Sequence, residues 1–379
     1  MEPTYPPPVP FDKIAELQTI VESRFVVMEM YIDRGIPVFL VSLQPTEERP
    51  EALKGAFKEV ALEIKGRGFF PFLRRENGQL VLRIVQKSAP APPKPWIKIA
   101  LFLATCVTIF LDGYIFRVDN PIWTVELMPQ VPALLQAIFF TISILAVFML
   151  HEFGHKIACM INRVDASMPY FIPSVPGLFP GGTLGAVITL KDPPTNRDEL
   201  FDLGLNGPLV GFCVTVIVTF IGVLLSPVLP LEQLYKWGRL YGIEFIEFPS
   251  PLLLGIAGII LGKIPPRGYT LLLHPIALAA WVGAVVTFLN LMPIAVLDGG
   301  HISMALFGPK GHRITSIIGI ALLLVTGFWP MALLVLFFMF GRPYGVPLLD
   351  EVSPLANSRK FAALFVPVMI SLCVVFLYF

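Results

Sequence analysis

Hydrophobic and polar residues are arranged differently before and after about residue 90. Polar and apolar positions interleave over short stretches up to residue 88, whereas uninterrupted apolar runs begin only after Trp96. Short interleaved segments are typical of half-buried helices and strands, and runs of about 20 apolar residues are long enough to cross a bilayer. The pattern predicts a soluble N-terminal domain at 1–88 and a transmembrane domain at 97–379.

The N-terminal domain has an α+β pattern. Helices are expected near 13–21 and 47–65, and strand-like segments follow each of them. Asp-Arg-Gly at 33–35 and Glu-Asn-Gly at 76–78 are hairpin turn signals. The run APAPPKP at 89–95 is typical of a stiff spacer, so we place a Pro-rich linker at 89–96.

The apolar runs predict a polytopic α-helical membrane protein. Candidate spans lie near 97–116, 131–161, 203–226, 274–292, 313–341 and 361–379. Gly327 and Pro330 interrupt the fifth run, which is therefore expected to form one or two crossings, giving about six or seven spans. A further apolar stretch at 251–264 is too short to span and is expected to be re-entrant.

Composition narrows the class of protein. Charged residues make up 15% of the chain, well below the roughly 25% of soluble domains. The net charge of +1 offers no electrostatic footprint for nucleic acid, which we exclude as a partner. Lys and Arg fall on alternate connections, which predicts a cytoplasmic N-terminal domain. The first residues resemble no signal or transit peptide, which favours the cell membrane.

A metal-binding pattern lies inside the second predicted span. HEFGH at 151–155 places His151 and His155 one helical turn apart, so that both rings can reach one Zn²⁺. Glu152 between them can take a proton from a hydrolytic water. Ionisable groups at membrane depth are functional by default. The pattern predicts one zinc ion per chain.

A third zinc ligand is needed, because catalytic zinc usually has three protein ligands and one open position. Asp298 is the candidate, in NLMPIAVLDGGH at 290–301. We expect Pro293 and then Gly299-Gly300 to break this span. Such irregular backbone at membrane depth lies beside a protein cavity or water, where it can aim a carboxylate inward.

Together the two motifs resemble the site-2 protease family of intramembrane zinc metalloproteases, peptidase family M50. FPGGTLGAVI at 179–188 and NRDELFDLGLNGPL at 196–209 are also similar to it, especially to its archaeal and plastid branch. The resemblance covers about 131–305 and implies a three-span catalytic core with a broken helix. It implies zinc on His151, His155 and Asp298 and Glu152 as general base, with Asn290 near the substrate carbonyl.

Other residues are candidates for holding substrate. Gly182, Thr183 and Gly185 are either simple turn residues or the start of a β-prone stretch at 183–190, on whose free edge an extended substrate would lie. Asn206 is either a helix-packing contact or a substrate contact.

Several other polar residues have a purely structural interpretation beside a functional one. His301 is either a stabiliser of an anionic intermediate or a surface residue, and Cys159 is a weak rival metal ligand. His274 and His312 flank spans and are expected at the membrane interface.

The expected activity is hydrolysis of peptide bonds in membrane-spanning protein substrates, as in regulated intramembrane proteolysis, within the lipid bilayer. The sequence leaves the oligomeric state open. One alternative is a gluzincin-like protease with Glu199 as third ligand, although residues 196–198 look like a cytoplasmic loop. Another is a metal transporter or scaffold, for which Glu152 would be dispensable.

Overall fold

The computed structural model describes residues 9–43, 50–87, 95–178, 181–245, 247, 249–340 and 347–377. The predicted spacer at 89–95 lies outside them except for Pro95, where the first membrane helix begins. The N-terminal elements are α1 (Phe11–Glu22), β1 (Phe25–Asp33), β2 (Ile36–Leu43), α2 (Pro50–Gly66), β3 (Phe69–Glu76) and β4 (Gln79–Gln86). The order helix, strand, strand therefore occurs twice.

Two tight hairpins build the N-terminal sheet, which has the antiparallel order β1-β2-β4-β3. Arg34 and Gly35 form one turn with φ of 49° and 82°, and Asn77 and Gly78 form the other with φ of 50° and 84°. Positive φ at both central residues matches the right-handed twist of the strands. Both predicted turns are observed.

The N-terminal core lies between the sheet and its two helices. Phe57 of α2 packs against residues such as Phe25, Phe39 and Leu73, all of which are buried. Leu349, far along the chain, joins this core, and its carbonyl accepts a 2.7 Å hydrogen bond from the Leu73 amide. The N-terminal domain is therefore packed on the rest of the chain.

The remaining elements form the membrane part. They are α3 (Pro95–Gly113), π-helical turns at Tyr114–Val118 and Ile122–Leu127, α4 (Ala133–Asn162), β5 (Tyr170–Pro173), β6 (Thr183–Val187), α5 (Arg197–Leu225), β7 (Val228–Pro230), α6 (Leu231–Tyr241), α7 (Leu252–Ile260), β8 (Tyr269–Leu271), α8 (Pro275–Asn290), α9 (Asp298–Val325), α10 (Trp329–Met339), α11 (Asn357–Ala362) and α12 (Phe365–Cys373). Strands β5 and β6 pair antiparallel, as do β7 and β8. The connection between α5 and α7 contains a strand, β7, and a helix, α6.

Three helices in the described part of the chain are long and apolar enough to cross a membrane. They are Pro95–Phe116, Ala133–Asn162 and Arg197–Leu225. The helices α8, with 16 residues, and α10, with 11, are apolar but shorter. Sequence patterning identified the apolar segments, but the predicted count of six or seven spans is not confirmed.

The C-terminal third differs from the sequence prediction in its continuity. Gly308, with φ of 68°, breaks α9 just before Pro309, and the predicted interruption at Gly327 separates α9 from α10. The last predicted span at 361–379 is divided between α11 and α12. Pro367 lies in the first turn of α12, where its missing N–H and fixed φ are tolerated.

The start of α5 also corrects the prediction, because residues 196–198 are not a loop. Asn196 caps the helix by accepting a 3.1 Å hydrogen bond from the Glu199 amide, while the Glu199 carboxylate accepts a 2.7 Å bond from the Thr195 amide. The first bond satisfies a donor that a helix start leaves unpaired, and the second ties the Glu199 carboxylate to the residue before the cap. The span therefore begins at Arg197 rather than near 203.

The N-terminal domain docks on this capped end of α5. Lys54 of α2 lies 2.9 Å from Asp198, and Lys58 lies 3.1 Å from Glu199. Lys65 donates to the Thr195 hydroxyl at 3.2 Å. Burial lowers the pKa of Lys65, while the Glu199 carboxylate acts in the opposite direction. A row of α2 lysines thus faces the helix end whose next turns line the candidate site.

Candidate metal and catalytic site

Helix α4 presents the two predicted histidines side by side. The Nε2 atoms of His151 and His155 are 3.2 Å apart, as expected for rings one turn apart on one helix face. His151 is buried, with 3% of its surface exposed, and Glu152 is buried at 7%. A pair of imidazoles with converging nitrogens inside an apolar helix is the geometry of a metal site.

The predicted third ligand meets them from a distant part of the sequence. Asp298 is the first residue of α9, and its Oδ2 lies 3.3 Å from Nε2 of His151 and 3.4 Å from Nε2 of His155. The three donor atoms belong to the one group of potential metal ligands found among the described residues. The three predicted ligands therefore lie close together in space.

The break before α9 differs in detail from the prediction. The chain leaves the helix after Asn290, turns, and is helical again from Asp298, so Gly299 and Gly300 lie inside α9. A Cβ on Gly299 would lie 2.2 Å from the Leu291 carbonyl oxygen, and one on Gly300 would lie 2.1 Å from that of Ile294. The two glycines therefore allow the helix start to pack against the turn, rather than breaking the helix.

The donor triangle fits zinc. A tetrahedral zinc with bonds of about 2.0–2.1 Å holds its ligand atoms about 3.3–3.4 Å apart. The three edges measured between the His151, His155 and Asp298 donors are 3.2, 3.3 and 3.4 Å. Two imidazoles and one carboxylate are also a usual donor set for catalytic zinc, which keeps a fourth position open.

The backbone of α5 orients His155. Its Nδ1 lies 2.8 Å from the Leu203 carbonyl oxygen. A carbonyl can only accept a hydrogen bond, so Nδ1 carries the proton and Nε2 keeps its lone pair directed at the triangle. Such a bond to the other ring nitrogen is how proteins fix the orientation of a metal-binding histidine.

A glycine face of α5 makes room for the site. A Cβ on Gly207 would lie 2.1 Å from Nε2 of His155, one on Gly211 would lie 2.9 Å from Nδ1 of His151, and one on Gly204 would lie 2.7 Å from the Asp298 carbonyl oxygen. Sequence analysis missed these residues. The signal was present, because positions 204, 207 and 211 are three and four apart and hence share a helix face.

Glu152 and Asn290 border the triangle. Glu152 follows His151 on α4 and is buried. Asn290 ends α8, and its Nδ2 lies 3.2 Å from Nε2 of His151. The site therefore draws its side chains from α4, the end of α8 and the start of α9, with the backbone of α5 packed behind them.

The central half of the chain matches a known protein family. The profile of peptidase family M50 matches residues 139–328, half of the 379-residue chain. The chain belongs to peptidase family M50. The matched region includes every residue of the donor triangle, and the resemblance inferred from HEFGH and NLMPIAVLDGGH is confirmed.

Relatives of this M50 chain come from plants. It is 29% identical over 311 residues to a probable zinc metalloprotease, EGY1, chloroplastic, of Oryza sativa subsp. japonica, covering 75% of this chain and 51% of the relative. It is 28% identical over 283 residues to EGY2, chloroplastic, of Oryza sativa subsp. indica, covering 72% and 48%. The chain thus spans about half the length of these relatives, and their plastid names agree with the plastid side of the resemblance. No solved structure matches the chain.

The β-prone stretch predicted at 183–190 forms a strand in this M50 chain over Thr183–Val187, as β6. The Thr183 hydroxyl donates to the Ile172 carbonyl of β5 at 2.9 Å and accepts from the Gly185 amide at 3.1 Å. Gly185, with φ of 102°, lies against Phe148, one turn before His151 on α4. Gly182 is pressed against α3, where an added Cβ would lie 2.5 Å from the Thr108 carbonyl oxygen. These three residues shape the strand and its position.

Asn206 and His301 lie in the packing around the triangle. The Asn206 side chain donates to the Asp202 carbonyl of its own helix at 2.7 Å, and the backbone carbonyl oxygen of Asn206 packs against Gly154. This geometry favours the helix-packing alternative for Asn206. His301 lies three residues after Asp298 and is half-buried against Gly204, so it is not a fully exposed surface residue.

Four other residues lie away from the triangle. Glu199 is occupied by the helix cap and by Lys58, which argues against the gluzincin alternative. Cys159 is buried among apolar neighbours. His274 and His312 are buried in the protein, at 4% and 1% exposure. His274 caps α8 by accepting a hydrogen bond from the Ile276 amide.

Proposed function

We propose that this M50 chain is a zinc metalloendopeptidase that hydrolyses peptide bonds within or near membrane-spanning segments of other proteins. The observation that supports this most directly is the buried triangle of His151, His155 and Asp298, with Glu152 beside it. The names of the plant relatives, probable zinc metalloproteases, point to the same activity.

The residues divide the work of hydrolysis between them. His151, His155 and Asp298 hold the ion, which when bound polarises the scissile carbonyl and makes water a better nucleophile. Glu152 accepts the proton of the attacking water and delivers it to the leaving amine. Asn290 donates a hydrogen bond from its amide to the substrate carbonyl oxygen as negative charge develops there.

An intramembrane substrate has to be extended before it can be cut. A helix keeps its carbonyls in i to i−4 hydrogen bonds, so a membrane helix offers no free carbonyl for attack. In the described residues β6 pairs on one edge only, with β5. An unwound substrate segment adds to the other edge, where backbone hydrogen bonds hold it extended near Phe148 and the zinc ligands.

We also propose a membrane location with the N-terminal domain on the cytoplasmic or equivalent side. The three long apolar helices and the alternating Lys and Arg support this. The relatives named chloroplastic favour a plastid membrane, whereas the cell membrane remains a prediction from the sequence. Membrane fractionation with protease protection of a tag at the N-terminus would test both the location and the orientation.

Zinc content and cleavage together test the activity. The full chain, purified in detergent, is assayed by elemental analysis and against a library of single-span peptides with randomised apolar cores, whose products are read by mass spectrometry. We expect one zinc per chain and cleavage inside the cores. Glu152→Gln should keep zinc and lose at least 100-fold in cleavage rate, because general-base catalysis contributes about 10²–10⁴-fold. Asp298→Ala should lose both.

Glu199→Gln is the matched control, since it changes a buried glutamate outside the triangle. It should keep zinc and cleavage. Zinc retained by Asp298→Ala but lost from Glu199→Gln would reverse the ligand assignment. A zinc-loaded wild type that cuts no peptide, or cuts equally well as Glu152→Gln, would instead favour a transporter or scaffold.

A further inference from the structure

A buried carboxylate outside the family-matched region lies in the first membrane helix. Asp112 belongs to α3, is 0% exposed, and precedes the matched region at 139–328. An ionisable side chain buried in a membrane helix is costly and is kept where it performs a task, so its partners indicate what that task is.

Both carboxylate oxygens of Asp112 bind the connection between β5 and β6. Oδ1 accepts a 2.9 Å hydrogen bond from the Gly177 amide, and Oδ2 accepts a 3.1 Å bond from the Gly181 amide. Both glycines have positive φ, of 82° and 93°, a conformation that turns these amides toward α3 at little steric cost. Hydrogen bonds to an ionised acceptor are about twice as strong as neutral ones.

The same part of α3 sets the position of the next residue as well. Gly182 has its Cα packed against the backbone of Thr108 and Ile109, one turn before Asp112. Strand β6 begins at the following residue, Thr183. Because α3 holds Gly181 by a hydrogen bond and packs against Gly182, we infer that α3 determines where β6 starts.

The position of β6 matters for the proposed reaction. Gly185 lies against Phe148, and Phe148 precedes His151 by three residues on α4. A shift at Gly181 therefore moves the strand relative to the helix that carries two zinc ligands. The contacts of Asp112, Thr108 and Ile109 described above reach the β5–β6 connection rather than the triangle.

We propose that Asp112 is a positioning residue for substrate, whose carboxylate ties the β5–β6 connection to α3 and holds the free edge of β6 at the distance an extended substrate requires. This role depends on the proposed protease function. It assigns the first membrane helix, which lies outside the family match, the part of holding the strand that presents the scissile peptide.

The test compares wild type with Asp112→Asn, which keeps the size of the side chain and removes its charge and one acceptor. Full-length proteins are assayed on the best-cleaved peptide of the library described above. We expect KM to rise about tenfold, from the loss of one charge-assisted hydrogen bond, while kcat changes less than about twofold. Zinc should remain at one per chain.

Hydrogen–deuterium exchange measures the tether without any substrate. Peptides containing Gly177 and 181–187 should exchange about tenfold faster in Asp112→Asn than in wild type. Thr105→Val is the matched control, because Thr105 is a buried α3 residue two turns earlier whose hydroxyl has no hydrogen-bond partner among the described residues. It should change neither exchange nor KM. If Asp112→Asn does not fold, Asp112→Glu, which keeps both acceptors one methylene further out, serves in the same assays with smaller effects.

Each outcome decides a separate point. Unchanged exchange would show that Asp112 does not hold the connection and would overturn the proposal. Faster exchange with unchanged KM, or a fall in kcat alone, would show a purely structural tether and would also overturn it. A wild type without zinc-dependent cleavage would refute the protease function and with it the role in substrate positioning, while the exchange data would still report whether the tether exists.

Discussion

Substitution of Gly207 by alanine tests the zinc site from the α5 side, where Gly207 lies against His155. The added Cβ would lie 2.1 Å from Nε2 of His155, about 1.3 Å short of the 3.4 Å at which ordinary contact begins. The imidazole would have to move by that amount, and Nε2 is the atom directed at the triangle. Movement would also strain the hydrogen bond from Nδ1 to the Leu203 carbonyl.

The expected loss is in zinc affinity. Removing a contact that orients a metal ligand typically costs 10–100-fold in affinity, and here the ligand itself is displaced. We expect a loss of about 100-fold, or about 2.8 kcal/mol of binding free energy. Gly211→Ala should lose less, because its Cβ would lie 2.9 Å from Nδ1 of His151, at the side of the ring rather than at its zinc-binding atom.

Competition with a chromophoric chelator measures both affinities. Gly255→Ala in α7 is the matched control, since this helical glycine has no atom within 4 Å of the added Cβ. It should bind zinc as wild type does and should be equally or slightly more stable. The reasoning is refuted if Gly207→Ala and Gly255→Ala bind zinc equally tightly.

Three further predictions concern stability and docking. The added Cβ of Gly300→Ala would lie 2.1 Å from the Ile294 carbonyl oxygen, so overpacking should lower the free energy of unfolding by about 1–3 kcal/mol. Thermal unfolding of the detergent-solubilised chain should show a lower Tm, and an unchanged Tm would contradict the packing described. Chelating zinc should also lower Tm, since an ion present at about 1,000 times its Kd stabilises by about 4 kcal/mol, and Tm should return with Zn²⁺ but not with Mg²⁺. Lys54→Glu places two negative charges together at Asp198 and should weaken docking of the N-terminal domain by about 1–3 kcal/mol. Limited proteolysis of that domain should become several-fold faster, whereas the control Lys13→Glu, at an exposed site, should leave its rate unchanged.

Local patterns account for what could be predicted. A four-residue spacing on a helix places His151 and His155 on one face whatever the rest of the chain does. The hairpin turns at Arg34-Gly35 and Asn77-Gly78 follow from the positive φ that such turns require. Apolar length likewise pointed to the three helices that are long and apolar enough to cross a membrane, because a crossing requires about 20 apolar residues.

Long-range contacts account for what could not. The span count depends on where helices end, and the apolar run predicted at 361–379 is interrupted between Ala362, where α11 ends, and Phe365, where α12 begins. Neither the lysine row of α2 facing Asp198 and Glu199 nor the tie between Asp112 and Gly181 leaves a mark in the local sequence. Both join residues more than 60 positions apart.

By itself the sequence determined the chemistry of this chain, since the residue types able to hold zinc and move a proton are set by HEFGH and supported by the family resemblance. Only the tertiary structure decided that Asp298 closes the triangle at 3.3 and 3.4 Å, that glycines of α5 make room for the rings, and that α3 holds the strand beside them. The physical reason is that ligand geometry depends on packing to within tenths of an ångström, which residues distant in sequence determine together.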